Sequence, residues 1–155
     1  MYICGMRLED AIKTVNFKSE LHKASLNILY TAWVIKTISN NVLKKYGLTH
    51  EQYNVLRILK GKHPEQLCVK EIGSRMIERN SNVPRIIDRL ECKKLVKRHM
   101  SPTDRRETII SISEIGLLVL AETTKLLETE LNQSLFLEKA EACQLNFLLE
   151  KIRVK

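Results

Sequence analysis

A mostly α-helical fold with one small β-hairpin is what this sequence predicts, on three observations. Apolar residues recur at three- and four-residue spacing over most of the chain. Two short β-type runs, 96–100 and 107–113, flank a polar, basic tip. Breakers are sparse, with 5 Gly and 3 Pro in 155 residues, so each one is informative punctuation. The composition, 44% hydrophobic and 28% charged, suits a single domain over 1–155 and excludes disorder. A chain of this length buries about 68–70% of its unfolded surface, enough for a core that needs no disulfide or metal.

From Lys18 to Tyr46 the residues Leu21, Ala24, Leu26, Ile28, Leu29, Ala32, Trp33, Ile35, Ile38, Val42 and Leu43 keep a helical period until Gly47 supplies a stop. They cover more than one narrow stripe, which points to packing on two sides, with a second subunit as one candidate surface. Thr49 with Gln52 is a capping box, and Tyr53, Val55, Leu56 and Leu59 mark a helix ending at Gly61, with Pro64 beyond. After a short Leu67-Cys68-Val69 run, Lys70 to Ile77 reads as a two-turn helix with Ile72 and Met76 inward. Arg79-Asn80-Ser81-Asn82 is a polar turn rich in capping residues, and a helix follows to about Lys94. Pro84 is tolerable only in a first turn, which puts that helix start near Asn80 to Asn82. Val96 to Met100 and Glu107 to Ser113 form the hairpin around Ser101 to Arg106. Ser113 with Gly116 opens a second long helix to about Ser134, and a last helix runs from about Glu138 to Arg153.

The net charge is +8, and its placement matters more than its size. Residues 1–66 and 67–108 each carry +5, 109–150 carry −5, and 151–155 carry +3. A polyanion is therefore the expected partner for the part before 109. Cys4, Cys68, Cys92 and Cys143 are scattered, with no Cys-x-x-Cys pair, and His22, His50, His63 and His99 are dispersed, so no metal site is expected. Cys68, Cys92 and Cys143 fall in packed elements and read as small core residues. The first ten residues lack a secretion signal, and no uncharged apolar run approaches 18 residues, so the expectation is a soluble, cytoplasmic protein without a membrane partner. There is no Gly-rich phosphate loop, no Ser/His/Asp arrangement and no carboxylate pair at a strand end, so neither an enzyme nor a cofactor is expected.

Two short helices joined by a tight polar turn, followed by a hairpin, make a helix-turn-helix with a wing. A B-form major groove is about 12 Å wide and admits one helix, whose N-terminal side chains reach base edges. On that geometry Ser81, Asn82, Pro84, Arg85 and Arg89 face the groove, and Arg105 and Arg106 reach the neighbouring minor groove or phosphates. Asparagine pairs bidentately with adenine and arginine with guanine, at about 1–3 kcal/mol of discrimination per good pair. Alone, the run Arg85, Arg89, Lys93, Lys97, Arg98 would be a solvated face. Placed between such a turn and a hairpin it reads as a DNA-contacting face. Asp88 and Glu91 are expected to pair with these bases along the helix.

These residues resemble the MarR family of winged-helix transcriptional regulators. Asp104-Arg105-Arg106, followed by Thr108 to Ser113, is similar to the family's Asp-x-Arg wing motif and the strand and capped helix behind it. Arg79 to Glu91, with Leu95-Val96-Lys97-Arg98 after it, is similar to its recognition helix. The likeness covers about 18–153. Pro84 departs from it, standing where many relatives carry a small hydroxylated residue, which bears on base preference and not on fold. The resemblance implies Arg106 in the minor groove, Asp104 orienting it or a neighbouring arginine, and Arg105 on phosphate. It also implies long N- and C-terminal dimerisation helices, 18–47 and 114–153, around a 48–113 winged helix-turn-helix. A homodimer would then repress from a pseudo-palindrome and be released by small anionic phenolic ligands or by cysteine oxidation.

Tyr30, Trp33 and Tyr53 suit the wall of a pocket for a planar small-molecule effector between the long helices and the winged helix, with core packing as the plainer reading. Cys4 lies near the terminus, where redox-sensing members of the family carry a cysteine, but has no basic neighbour before Arg7. The expected function is sequence-specific regulation of transcription on double-stranded DNA. The alternative is a protein-interaction module whose basic face meets an acidic partner. A nucleoid binder without sequence preference is a third reading.

Overall fold

The computed structural model describes residues 6–79, 81–101 and 107–153. Cys4, Asp104, Arg105 and Arg106 lie outside the described residues, so the wing expectations that rest on them are not met or missed here.

A short helix α1 (Leu8–Ile12) precedes the long α2 (Glu20–Lys45). The sequence pattern does not announce α1, because five residues are too few to show a period. It is tied to α2 by Lys23, whose Nζ donates to Glu9 Oε1 at 2.6 Å. That ammonium holds the Glu9 carboxyl down at about 2. Helix α2 opens on Ser19, whose hydroxyl accepts the His22 N–H, and stops before Gly47, which adopts φ +63. Helix α3 (His50–Lys60) carries the expected capping box in full: Thr49 Oγ1 accepts the Gln52 N–H at 3.3 Å and Gln52 Oε1 accepts the Thr49 N–H at 3.2 Å.

Strand β1 (Leu67–Cys68), helix α4 (Val69–Arg75), helix α5 (Val83–Cys92), strands β2 (Val96–Met100) and β3 (Thr108–Ile112), and helices α6 (Glu114–Ser134) and α7 (Lys139–Arg153) follow. The sheet is antiparallel in the order β1-β3-β2, with Val96 opposite Ile112, Met100 opposite Thr108 and Leu67 opposite Ile110. The Leu67-Cys68 run thus becomes a third strand, which two residues alone do not signal and only pairing with β3 creates.

Helix α3 sits in the middle of the core. Its Val55, Leu56 and Leu59 pack with Val42 and Leu43 of α2, Ile72 of α4, Ile87 and Leu90 of α5 and Ile110 of β3, all essentially buried. Burying side chains of this size contributes about 1.5–3 kcal/mol each, so the four- and three-residue spacing of Val83, Ile87 and Leu90 fixes which face of α5 points outward. Cys68 is buried as expected, but Cys92 and Cys143 are exposed. Cys92 lies past Leu90, the last core residue of α5, and α7 has no buried residue within one chain, which is why helical spacing misplaced both thiols. Among the described residues no helix is long and apolar enough to cross a membrane.

Candidate nucleic-acid interface

Helix α5 is built to show one face. Val83, Ile87 and Leu90 are buried, while Asn82, Pro84, Arg85, Asp88 and Arg89 are exposed and Ser81 is half-buried. Asn82 is the N-cap, its Oδ1 accepting the Arg85 N–H at 3.2 Å, and Pro84 falls in the first turn where its missing N–H does no harm. The helix therefore begins where Pro84 predicts. The cap also gives Asn82 a structural duty: pairing bidentately with a base would require its Oδ1 to leave the Arg85 N–H.

Ser81, Asn82, Arg85 and Arg89 come together along one groove of about 410 Å³, closed on the other side by Thr49, Glu51 and Gln52 at the start of α3. Among the described residues neither Arg85 nor Arg89 forms a salt bridge, so both guanidinium groups are available to a polyanion. At four-residue spacing they lie on the same side of the helix.

The other cations of the run divide differently. Lys93 Nζ donates to the Gly47 carbonyl and, at 3.1 Å, to Gln52 Oε1, tying the end of α5 to the turn between α2 and α3. Arg98 of β2 pairs with Asp88, and its Nε lies 2.9 Å from Glu91 Oε2. Asp88 and Glu91 thus bond across to the strand and not along their own helix, against the sequence expectation, because Arg98 approaches both acids at once. Lys93 and Arg98 brace helix α5, while Arg85 and Arg89 project from it. These tertiary partners carry no local signal in the sequence.

A second cavity, of about 560 Å³, lies between α2, α3, α6 and the segment linking α4 to α5. Its apolar wall includes Ile35, Tyr53, Met76, Ile77, Leu127 and Leu131, and Lys36, His50 and Arg57 bring positive or titratable groups to it alongside Glu51, Glu78 and Glu128. Tyr53 is where the sequence places it, its hydroxyl 3.0 Å from Thr124 Oγ1. Tyr30 and Trp33 do not line the cavity; they pack on each other 5.6 Å apart between ring centroids, with Trp33 59% exposed. Their aromatic character grouped them with Tyr53, and the helical period of α2 does not fix which of its sides faces α3.

Comparison with known proteins adds three findings. The model of the MarR family matches residues 48–108, from the turn before α3 to the first residue of β3. The HTH-type transcriptional regulator MgrA of Staphylococcus aureus is 32% identical over 114 residues, 74% of this chain and 76% of MgrA. The HTH-type transcriptional regulator MhqR of Bacillus subtilis is 36% identical over 80 residues, and there the match spans about half of each protein, 50% of this chain and 52% of MhqR. Among solved structures, a mutant MarR from E. coli complexed with operator DNA superposes with a TM-score of 0.78 at 21% identity, covering 90% of this chain and 100% of that one, a likeness of fold.

Proposed function

Since the chain belongs to the MarR family, we propose that it is a sequence-specific DNA-binding transcriptional regulator, a ligand-responsive repressor acting in the cytoplasm as a homodimer on a pseudo-palindromic operator. The observation that carries this reading is the division of labour on α5. Among the described residues Arg85 and Arg89 form no salt bridge above a capped helix start, while Lys93 and Arg98 anchor the helix behind them. A helix so presented enters a major groove with its first turns against base edges.

Ser81, Asn82, Pro84, Arg85 and Arg89 supply the major-groove surface. Arg106 enters the minor groove beside it, Asp104 orients an arginine and Arg105 meets phosphate, as the wing motif implies. The partner subunit covers α7, the linker before it and the outer side of α2, where Phe147, Phe136, Leu21 and Leu29 are exposed in one chain. The net charge of −5 on 109–150 keeps this end away from phosphate. The cavity beside Tyr53 receives a small planar effector, its apolar wall holding the ring system and its rim the polar tip.

The test is selection of a preferred duplex from a random pool, followed by titration over a range of salt. With about four phosphates neutralised per subunit, log Kd against log salt changes with a slope near 7 for the dimer. Arg85→Ala is expected to cost about 1–3 kcal/mol on the selected duplex and to relax preference at one position of each half-site. Arg106→Ala weakens selected and scrambled duplexes alike and flattens the slope by about one. An Arg85→Ala chain that keeps the wild-type preference at every position would remove α5 as the reader.

A further inference from the structure

Lys36 and Glu78 form an ion pair that spans 42 residues of sequence and joins α2 to the segment just ahead of α5. Among the described residues it is the one salt bridge between those two parts. The space beneath it is the 560 Å³ cavity, so continuous apolar packing does not back the link, and the adjacent Ile77 is 82% exposed. Glu78 lies four positions before the Asn82 cap and lines both that cavity and the groove that holds Arg85 and Arg89. On the other side the Lys36 carbonyl is 3.2 Å from His50 Nε2 at the head of α3. The Glu78 carboxylate in turn raises the Lys36 ammonium above the usual lysine range.

Two consequences follow from Coulomb's law and chain geometry. While Lys36 holds Glu78, the start of α5 is registered to α2, the helix that meets the partner subunit in the reading given above. Once Lys36 is gone, a carboxylate stands unpaired beside the groove where phosphates must approach, within reach of the two arginines meant for them.

We propose that Lys36 and Glu78 are a positioning pair that sets the separation of the two reading helices in the dimer and neutralises the acid that edges the DNA-facing groove. This rests on the reading of α5 as the DNA-contacting helix. Neither residue is assigned a base or phosphate contact, which separates the pair from Arg85 and Arg89 in experiment.

The experiment uses the full chain and the duplex selected by the wild-type protein, together with versions whose half-site separation is one base pair longer or shorter. Lys36→Met and Glu78→Gln are each expected to weaken binding to the selected duplex by about 3- to 10-fold, in the range of an exposed ion pair lost from both subunits. The salt slope stays that of wild type. Both variants discriminate less between the three separations, and the double variant is no worse than the poorer single one, the mark of coupled residues. Lys36→Arg, which keeps the charge, binds as wild type. Variants that rank the three separations as wild type does, or single effects that add fully in the double variant, overturn the pair's role. A wild-type chain that prefers no duplex overturns the reading of α5, and the pair's role with it.

Discussion

Lys94 adopts φ +61, the left-handed region in which an L side chain is strained and glycine is not. It stays there because the turn between α5 and β2 needs it: its N–H donates to the Glu91 carbonyl at 2.8 Å and its own carbonyl accepts the Ser113 hydroxyl at 2.7 Å. Lys94→Gly keeps those bonds and relieves the strain, less the entropy that glycine adds to the unfolded chain. A net gain of about 0.5–1 kcal/mol is expected, read as a higher urea midpoint with an unchanged slope. A midpoint at or below that of wild type contradicts it. Residues whose duties are local were legible in the sequence: Thr49 with Gln52, Asn82 ahead of Pro84, Ser113 with Gly116. Residues whose partners are distant were not. Lys93 looks like any surface lysine until the fold brings Gln52, 41 positions away, to its ammonium.

Helix α6 enters the fold through Gly116, buried against the turn that precedes β2. A Cβ there would lie 2.1 Å from the Leu95 carbonyl oxygen and 2.9 Å from Ile112 Cγ1, and backbone cannot swing aside as a side chain can. Gly116→Ala is therefore expected to destabilise by about 1–3 kcal/mol and to displace the base of the hairpin. A denaturation midpoint equal to wild type would show that α6 does not seat as closely as described. At this level the sequence was a good guide wherever a helix had both a period and a cap: α2, α3, α5 and α6 begin and end within two or so residues of the expected places. It was silent on α1 and β1, which are too short for any period and exist because Lys23 and β3 hold them. It misassigned Cys92 and Cys143 because helical spacing records which residues share a face and not whether that face is covered.

Over the whole chain the basic excess falls before 109, whereas α7 and the linker ahead of it carry exposed aromatic rings. Phe136 in that linker is 73% exposed and Phe147 of α7 is 64% exposed in a single chain, large apolar side chains of the kind that mark an interaction surface. Phe147→Asp is expected to shift the chain from dimer to monomer in sedimentation at micromolar concentration, and to weaken operator binding by about 100-fold or more, since two half-sites then bind independently. A variant that sediments as wild type would place the subunit contact elsewhere. The basic sequence before 109 and the acidic stretch after it already suggested this polarity. The division of the cations into projecting and bracing groups was not legible, because it depends on which acids and carbonyls the fold carries to each of them.

In the proposed function α5 reads sequence. The most direct measurement is the affinity of the purified protein for its selected duplex against a scrambled duplex of equal length, at several salt concentrations. Sequence reading by α5 gives at least about a 10³-fold preference, with a steep salt slope on both duplexes. Equal, weak, salt-sensitive binding to the two would contradict it and turn the basic face towards an acidic protein partner.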